Sequence, residues 1–463
     1  MQKILLILGC AFLSSWTMAQ SPTNAKDSFF VSRLHSVGLT EGQSYEWLRH
    51  LCLNIGHRLS GSSQAALAVD YTKQMLDTMG LDSVWLQPCM VTHWVRGDKE
   101  VVYMKSPNTH IEIPLTALAL GNSVGTGPAG IRAEVIEVYG VEALEKMDRK
   151  DVEGKIVFFN KPMDPNKLNT FEAYGAAVGQ RYRGPAVAAD MGAVAALVRS
   201  VTTSLDDYPH TGVTMYRDTA KNIPAVAIST QAANALSNAL KKERTNLFIR
   251  TTSQMLPKVG SYNVIGEIRG SEKPNEVILV GGHLDSWDVG QGAHDDGAGC
   301  VQSMEVLHLL KKMDYHPKRT IRCVLFMNEE NGGAGGDEYA RISKGSDEFP
   351  MLSIESDAGG FTPRGFTFDG EQPDFEMMMA KVRTWSGVLD DYQLYLKPGG
   401  SGADIGPLKD QGGLLSGFHP DSQRYFDYHH AATDVFEAVN ERELELGAIA
   451  MAALVYLADR WGL

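Results

Sequence analysis

The sequence has little cysteine, no long apolar run beyond its first residues, and no excess of positive charge. Five cysteines in 463 residues are too few for a disulfide framework. Cys300 and Cys323 lie in apolar patterns, so we expect buried thiols. No later apolar run approaches the ~20 residues of a membrane helix. The formal net charge of -13, with both signs mixed along the chain, argues against a nucleic-acid or anionic-membrane surface.

The N-terminus has the pattern of an export signal. Lys3 precedes the apolar run "ILLILGCAFL", and "TMA" at 17–19 supplies small residues at the spacing of a cleavage site. This pattern predicts a signal peptide over 1–19 and a periplasmic or extracellular mature protein. The alternative is a lipoprotein signal acylated at Cys10, which is less favoured because the apolar stretch before that cysteine is short.

The rest of the chain is too long for one compact core, and its sequence pattern changes along its length. The Gly-rich "GNSVGTGPAG" reads as a boundary, and short β-type runs follow it: "GKIVFFN", "AVAALV" and "IPAVAIS". We therefore predict an inserted β-rich domain over 123–258. It would separate an N-terminal part over 20–122 from the remainder of the main domain over 259–463.

Strands and helices alternate after Tyr262. The runs "EVILVGG", "TIRCVLFMN" and "MLSIESD" are typical of strands buried on both faces, and the segments between them have helical periodicity. This order predicts an α/β fold with a mostly parallel central sheet flanked by helices. The segment "ERELELGAIAMAALVYLADR" predicts a long amphipathic helix that packs on the sheet.

Ligand-type side chains follow each of these strands directly. The first strand runs into His283 and Asp285, the second into Glu329 and Glu330, and the third into Asp357. In open α/β sheets the ligand lies beyond the carboxyl ends of the strands. An unpaired charge is costly where a buried strand ends. We therefore expect these groups to meet at one edge of the sheet.

Two loop segments add to this cluster. The stretch "GGHLDSWDVGQGAHDDGAG" contributes Asp295 and Asp296, and "YHHAATD" at 428–434 contributes histidine. Imidazole and carboxylate ligands without cysteine suit zinc, with manganese or cobalt less favoured, and imidazole is a poor ligand for calcium. Two ions ~3.5 to 4 Å apart can share one carboxylate and hold a water between them. The pattern therefore predicts a metal-binding turn.

These motifs resemble a known family. In order, "GGHLDSWDVGQGAHDDGAG", "FMNEENGGAGG", "ESDAGG" and "YFDYHHAATD" are similar to motifs of the co-catalytic zinc exopeptidases, which include bacterial zinc aminopeptidases. The resemblance covers the chain after the signal segment, strongly beyond Tyr262 and weakly over 123–258, where it is similar to a protease-associated cap domain. It implies that 20–122 and 259–463 form the peptidase domain.

The family pattern, carried over residue by residue, implies a ligand set for two zinc ions. His283 and Asp357 become terminal ligands of one ion, and Glu330 and His430 become terminal ligands of the other. Asp295 becomes the bridge.

The resemblance also implies two roles without direct metal contact. Glu329 falls where the family has its general base, and Asp285 matches the carboxylate that orients the first histidine. His430 is preferred over His429 because the family's zinc histidine lies four residues before an aspartate, here Asp434.

Some positions in the motifs receive no catalytic or ligand role from the family. Asp296 and His294 are interpreted as turn and hydrogen-bonding residues. Some family members place a tyrosine before a Ser-Asp-His segment to stabilise the oxyanion, whereas the comparable stretch here reads "KPGGSGADIG". Asp404 is the candidate counterpart of that aspartate, and the oxyanion donor stays unassigned.

The leading hypothesis is a secreted zinc exopeptidase that hydrolyses dipeptides, or the N-terminal residue of short peptides, through a water shared by the metals. One alternative is a single-zinc acyltransferase like the glutaminyl cyclases, although retention of His283 and Asp357 favours two metals. Another is a catalytically silent binding ectodomain, against which the full ligand set and Glu329 argue. We expect a small peptide substrate and no nucleic-acid partner. Homodimers occur in similar proteins, so a homodimer stays open.

Overall fold

The computed structural model describes residues 25–105, 111–217 and 222–463. The described residues form a mixed α/β fold with two eight-stranded sheets. No helix in this part of the chain is long and apolar enough to cross a bilayer. The predicted signal peptide over 1–19, and with it Cys10, lies outside the described residues.

The strands and helices are numbered here in chain order. The strands are β1 Ser83–Val95, β2 Val101–Lys105, β3 Glu112–Pro114, β4 Ala117–Ala119, β5 Ile131–Val138, β6 Ile156–Phe159, β7 Ala195–Arg199, β8 Ala225–Ile228, β9 Asn246–Arg250, β10 Gln254–Ile268, β11 Lys273–His283, β12 Arg319–Phe326, β13 Phe349–Glu355, β14 Pro363–Asp369, β15 Tyr395–Pro398 and β16 Leu414–Pro420. The α-helices are α1 Ala25–Glu41, α2 Ser44–His50, α3 Ser63–Thr78, α4 Val141–Leu144, α5 Arg149–Val152, α6 Thr170–Ala177, α7 Gly179–Tyr182, α8 Gly184–Asp190, α9 Thr230–Leu240, α10 Ala298–Lys312, α11 Ala334–Lys344, α12 Asp374–Arg383, α13 Ser386–Leu389, α14 Tyr425–Tyr428 and α15 Glu441–Trp461. Short helical turns occupy Leu51–Ile55, Ala293–Gly297, Asp390–Tyr392, Gly406–Gln411 and Phe436–Ala438.

The first sheet has the order β1-β10-β12-β11-β13-β16-β14-β15. Its central strands β12, β11, β13 and β16 are parallel neighbours, and β10 and β14 pair antiparallel on either side of them. Helices α10 and α11 form the crossovers from β11 to β12 and from β12 to β13. The predicted parallel strands are confirmed, and their carboxyl ends meet at one edge because His283 is in register with Phe326.

The central strands are buried on both faces, as their apolar runs indicated. Ile278 and Ile321 pack into the core on the side of α10 and α15, whereas Leu279 and Val324 pack on the opposite side with Tyr339 of α11. The C-terminal segment forms the predicted long helix, α15, which packs against α10 and α1. The cysteines of the described residues are buried and free, as expected; they are Cys52, Cys89, Cys300 and Cys323.

The second sheet has the order β3-β2-β9-β5-β6-β7-β8-β4. Its central strands β5 to β8 are parallel, and the three β-type runs of the sequence form β6, β7 and β8. The segment is mixed and not simply β-rich, because parallel strands need crossovers and helices α4 to α9 lie between or beside them. The sheet also includes β2, which precedes the Gly-rich stretch read as a boundary.

Candidate metal centre

The five side chains implied as zinc ligands lie together at the carboxyl edge of the first sheet. Nε2 of His283 is 3.3 Å from Oδ1 of Asp295 and 3.6 Å from Oδ1 of Asp357. Nε2 of His430 is 3.2 Å from Oδ2 of Asp295 and 3.1 Å from Oε2 of Glu330. One oxygen of Asp295 therefore faces each imidazole, which is the arrangement that a bridging carboxylate requires.

Both imidazoles present Nε2 to the cluster because Nδ1 faces a backbone carbonyl. Nδ1 of His283 is 2.9 Å from the carbonyl oxygen of Asp285, and Nδ1 of His430 is 3.3 Å from that of Thr211. A proton on Nδ1 that is donated to a carbonyl leaves a lone pair on Nε2 for a metal. At His283 the backbone thus favours the metal-binding tautomer, whereas Nδ1 of His430 lies 3.3 Å from both the Thr211 carbonyl oxygen and Nη1 of Arg181.

Asp285 connects the loops that follow β11 and β12. Its Oδ1 accepts hydrogen bonds from the backbone N–H groups of Asn328 (2.6 Å) and Glu329 (3.1 Å). The same oxygen lies 4.0 Å from Nδ1 of His283, whereas the backbone carbonyl oxygen of Asp285 lies 2.9 Å from it. The imidazole therefore contacts the carbonyl of Asp285 more closely than the carboxylate of that residue. Asp285 therefore holds the backbone of Glu329 beside His283.

The charge of the cluster suits cations. Burial alone would raise the pKa of Asp295, but hydrogen bonds from His283 and His430 hold it well below its ordinary value. Burial, with the negative charges of Asp357 and Glu330, holds the pKa of Glu329 well above its ordinary value. The cluster contains more carboxylates than imidazoles, and buried carboxylates in such excess need metal ions or protons. The carboxylates are those of Asp295, Asp357, Glu329 and Glu330, and the imidazoles are those of His283 and His430. Nitrogen and oxygen donors of this kind fit zinc.

The remaining candidates in the motifs lie around the cluster. Asp296 accepts the N–H groups of His283 (3.0 Å) and Gly299 (2.9 Å). The ring of His294 stacks on Phe361 at 4.2 Å. These contacts agree with the interpretation of both residues as turn and hydrogen-bonding groups.

His429 and Asp404 differ from the assigned ligands. The ring of His429 stacks on that of His430 at 3.5 Å, and its Nε2 is 3.9 Å from Oδ2 of Asp295, farther than that of His430. Asp404 is buried with both carboxylate oxygens unpaired among the described residues, and burial and the charge of Glu355 hold its pKa well above the ordinary value. No oxyanion donor is assigned by these contacts.

Three structural residues were missed by the sequence analysis. Asp434 accepts the backbone N–H groups of His294 (2.7 Å) and Asp295 (3.2 Å), so it orients the turn that carries Asp295. Two residues of the segment around the second sheet contact His430. The carbonyl oxygen of Thr211, in the loop after β7, lies 3.3 Å from Nδ1 of His430, and Nη1 of Arg181, on α7, lies 3.3 Å from the same nitrogen. The only sequence signal for any of these three residues is the four-residue spacing between His430 and Asp434. That spacing served to prefer His430 over His429 and gave no role to Asp434 itself.

Arg58 is the fourth residue that was missed. Its side chain is fully buried and donates to the carbonyl oxygens of Leu284 (2.6 Å), Gln291 (2.8 Å) and Gly292 (2.9 Å). These carbonyls belong to the loop between β11 and α10. Arg58 therefore fixes the backbone that leads from His283 to the metal-binding turn.

We expect Arg58→Met to lower the free energy of unfolding by roughly 3 to 5 kcal/mol, because two buried carbonyls and one partly buried carbonyl lose a charged donor while most of the apolar volume is kept. Urea denaturation followed by circular dichroism measures this loss. Arg49→Met, which removes an exposed arginine paired with Glu46 of α2, is the matched control and should leave the urea midpoint unchanged. Equal midpoints for the two variants would contradict the anchoring role.

Comparisons with known proteins identify a family and several relatives of this chain. Residues 263–455 match the model of Peptidase family M28. Over 421 residues the chain is 36% identical to carboxypeptidase Q of Bos taurus and 35% identical to that of Homo sapiens, covering 91% of this chain and 86% of each relative. A Peptidase M28 precursor from Shewanella amazonensis SB2B has a TM-score of 0.87 at 28% identity, covering 94% of this chain and 97% of that one. The zinc aminopeptidase BSAP of Bacillus subtilis has a TM-score of 0.65 at 18% identity, covering 90% and 94%, which shows a shared fold.

The identity with carboxypeptidase Q and the family match identify a metallo-exopeptidase, and the cluster of imidazole and carboxylate groups could hold its metal. The chain belongs to peptidase family M28. The resemblance found in the sequence motifs is thereby confirmed at the level of the family. These comparisons do not favour the cyclase-like acyltransferase or the silent ectodomain.

Proposed function

We propose that this chain is a two-zinc exopeptidase that hydrolyses dipeptides, or removes the N-terminal residue of short peptides. The observation that carries the proposal is the position of Asp295, whose carboxylate oxygens lie 3.3 Å and 3.2 Å from the two imidazoles. His283 and Asp357 would hold one ion and Glu330 and His430 the other. Each ion would then have three protein ligands, as in catalytic zinc sites with an open position.

In the proposed mechanism the chain's own residues move one proton. When bound, the two ions supply Lewis-acid chemistry, lowering the pKa of a water and polarising the scissile carbonyl. Glu329 takes a proton from the attacking water and passes it to the leaving amine. Asp285 supports this step because its carboxylate accepts the N–H of Glu329 and fixes the backbone from which that side chain projects.

The segment over 123–258 is proposed to act as a cap that restricts the site to the ends of peptides. Its loops contact the peptidase segment beside the metal ligands: Thr202 donates to the carbonyl of Phe426 (2.5 Å), and Ser204 donates to Asp427 (2.7 Å). His210 also lies 2.6 Å from the carbonyl oxygen of His429. A site covered in this way admits a short chain end more readily than the middle of a folded polypeptide.

Hydrolysis of one unblocked dipeptide, beside its N-acetylated and C-amidated forms, tests the proposed function. The protein is stripped of zinc and then restored, and bound zinc is counted per chain. We expect two zinc ions and zinc-dependent cleavage of the unblocked form. Cleavage that survives amidation but not acetylation identifies an aminopeptidase, and loss with either block identifies a dipeptidase. Zinc-loaded protein that cleaves none of the three would overturn the proposal.

Export and assembly also stay proposals. Cleavage after 1–19 would place the mature protein in the periplasm or outside the cell, and N-terminal sequencing of the exported protein checks this. A homodimer rests only on its occurrence in similar proteins, and the mass in solution decides it.

A further inference from the structure

A cleft of about 350 Å³, separate from the metal centre, lies at the carboxyl ends of the parallel strands of the second sheet. Tyr139 follows β5, Asn160 follows β6, and Arg199 is the last residue of β7; all three line the cleft, with Asn234 and Lys241 from the α9 side. None of its lining residues belongs to the metal centre. The carboxyl edge of parallel strands is where open α/β sheets bind small ligands, and this volume suits a small molecule.

Arg199 is the unusual residue of this cleft. Arg199 is 7% exposed. Its hydrogen bonds go to amide oxygens, and it forms no ion pair with a carboxylate of the described residues. Nη1 donates to the amide oxygens of Asn234 (2.8 Å) and Asn160 (3.3 Å), whereas Nε is buried without a partner and Nη2 donates to no described residue. The link to the nearest carboxylate is indirect, since Asn160 donates to Glu137 (2.5 Å).

A buried guanidinium is normally paired with an anion, because an uncompensated buried charge destabilises the fold. In a chain with a formal net charge of -13, a cation left without a carboxylate partner is not explained by a shortage of acidic residues. Arg199 lines a cleft that opens to solvent, so a small anion from solution can serve as its partner. Nη2, which donates to no described residue and is not enclosed as Nε is, supplies the donor.

We propose that the cleft binds the carboxylate of a small organic acid of the size of an amino acid or a short peptide. A guanidinium matches a planar carboxylate, and Tyr139, whose side chain is 57% exposed, offers an aromatic face to an organic moiety. Lys241 is an exposed second cation at the rim.

A phosphate fits this cleft less well than a carboxylate. Phosphate sites commonly use the N-terminus of a helix, where free N–H groups and the helix dipole favour a doubly charged anion. Here the lining residues of α9 run from Asn234 onward, beyond its first turn. A single negative charge is therefore the better match. This site is independent of the proposed peptidase function and would stand if that function failed.

Calorimetric titration of the zinc-loaded full chain tests the site, with N-acetylglycine, N-acetylglycinamide and inorganic phosphate as probes. We expect N-acetylglycine to bind, its amide not to bind, and phosphate to bind at least about tenfold more weakly. Arg199→Gln should weaken N-acetylglycine binding at least about tenfold, and Asn234→Ala about threefold or more, because each removes or misplaces the charged donor. Lys242→Ala is the matched control: this exposed neighbour of Lys241 does not line the cleft, and its variant should bind like the wild type.

Three results would overturn the proposal: no binding of N-acetylglycine, phosphate binding as tight as the acid, or unchanged affinity in the cleft variants. Unchanged affinity would place the acid elsewhere, including at the metal centre. Circular dichroism shows whether Arg199→Gln folds. If it does not, Asn234→Ala and Lys241→Ala decide the outcome, and each should weaken N-acetylglycine binding. Both residues are exposed, Asn234 on α9 and Lys241 directly after its last residue, so neither substitution should unfold the chain.

Discussion

The Glu329→Gln variant is expected to lose hydrolytic turnover by roughly 10² to 10⁴-fold while it binds as much zinc as the wild type. The amide has the size of the carboxylate but cannot accept a proton from water. The backbone N–H of residue 329 still reaches Asp285, so the loop keeps its position. The measurement is kcat on an unblocked dipeptide, together with zinc counted per chain.

Glu338→Gln is the control for this variant. Glu338 lies on α11, where it forms an exposed ion pair with Arg341, and its replacement should leave kcat and zinc content unchanged. Zinc loss in Glu329→Gln would make Glu329 a ligand and not a base. Turnover near that of the wild type would place the base elsewhere.

The Asp295→Ala variant is expected to lose both zinc ions and all detectable activity. Asp295 is the carboxylate whose oxygens face His283 at 3.3 Å and His430 at 3.2 Å, so its removal would leave each ion with two protein ligands. Catalytic zinc sites normally have three. Zinc retained after dialysis, measured per chain, checks the prediction.

Asp288→Asn is the matched control, because Asp288 is a carboxylate of the same loop that pairs with Arg96 at 2.5 Å and not with the cluster. This variant should keep both ions. Retention of either ion at wild-type affinity by Asp295→Ala would contradict the bridging role.

The placement of the site could be predicted because its ligands follow buried strands. His283, Glu330 and Asp357 come directly after apolar runs, and parallel strands bring their carboxyl ends to one edge. The choice of Asp295 over Asp296 and of His430 over His429 came from the family resemblance, since turn geometry has no periodic pattern.

The supporting contacts could not be predicted, for a physical reason. Arg58 donates to backbone carbonyls that lie 226 to 234 residues away along the chain. Every residue has such a carbonyl, so no side-chain pattern marks the acceptor. The same holds for His430, whose Nδ1 faces the carbonyl of Thr211 in a segment with few ligand-type residues.

The contact between Thr211 and His430 limits how this enzyme could be recombined with its relatives. A chimaera that exchanges the segment around the second sheet would also replace the backbone carbonyl that faces Nδ1 of His430, a proposed zinc ligand. We therefore expect such an exchange, made to alter peptide preference, to alter metal affinity as well. The segment around the second sheet should therefore not be exchanged without regard to the metal centre on the first. A segment taken from a relative must preserve the path of the chain at Thr211.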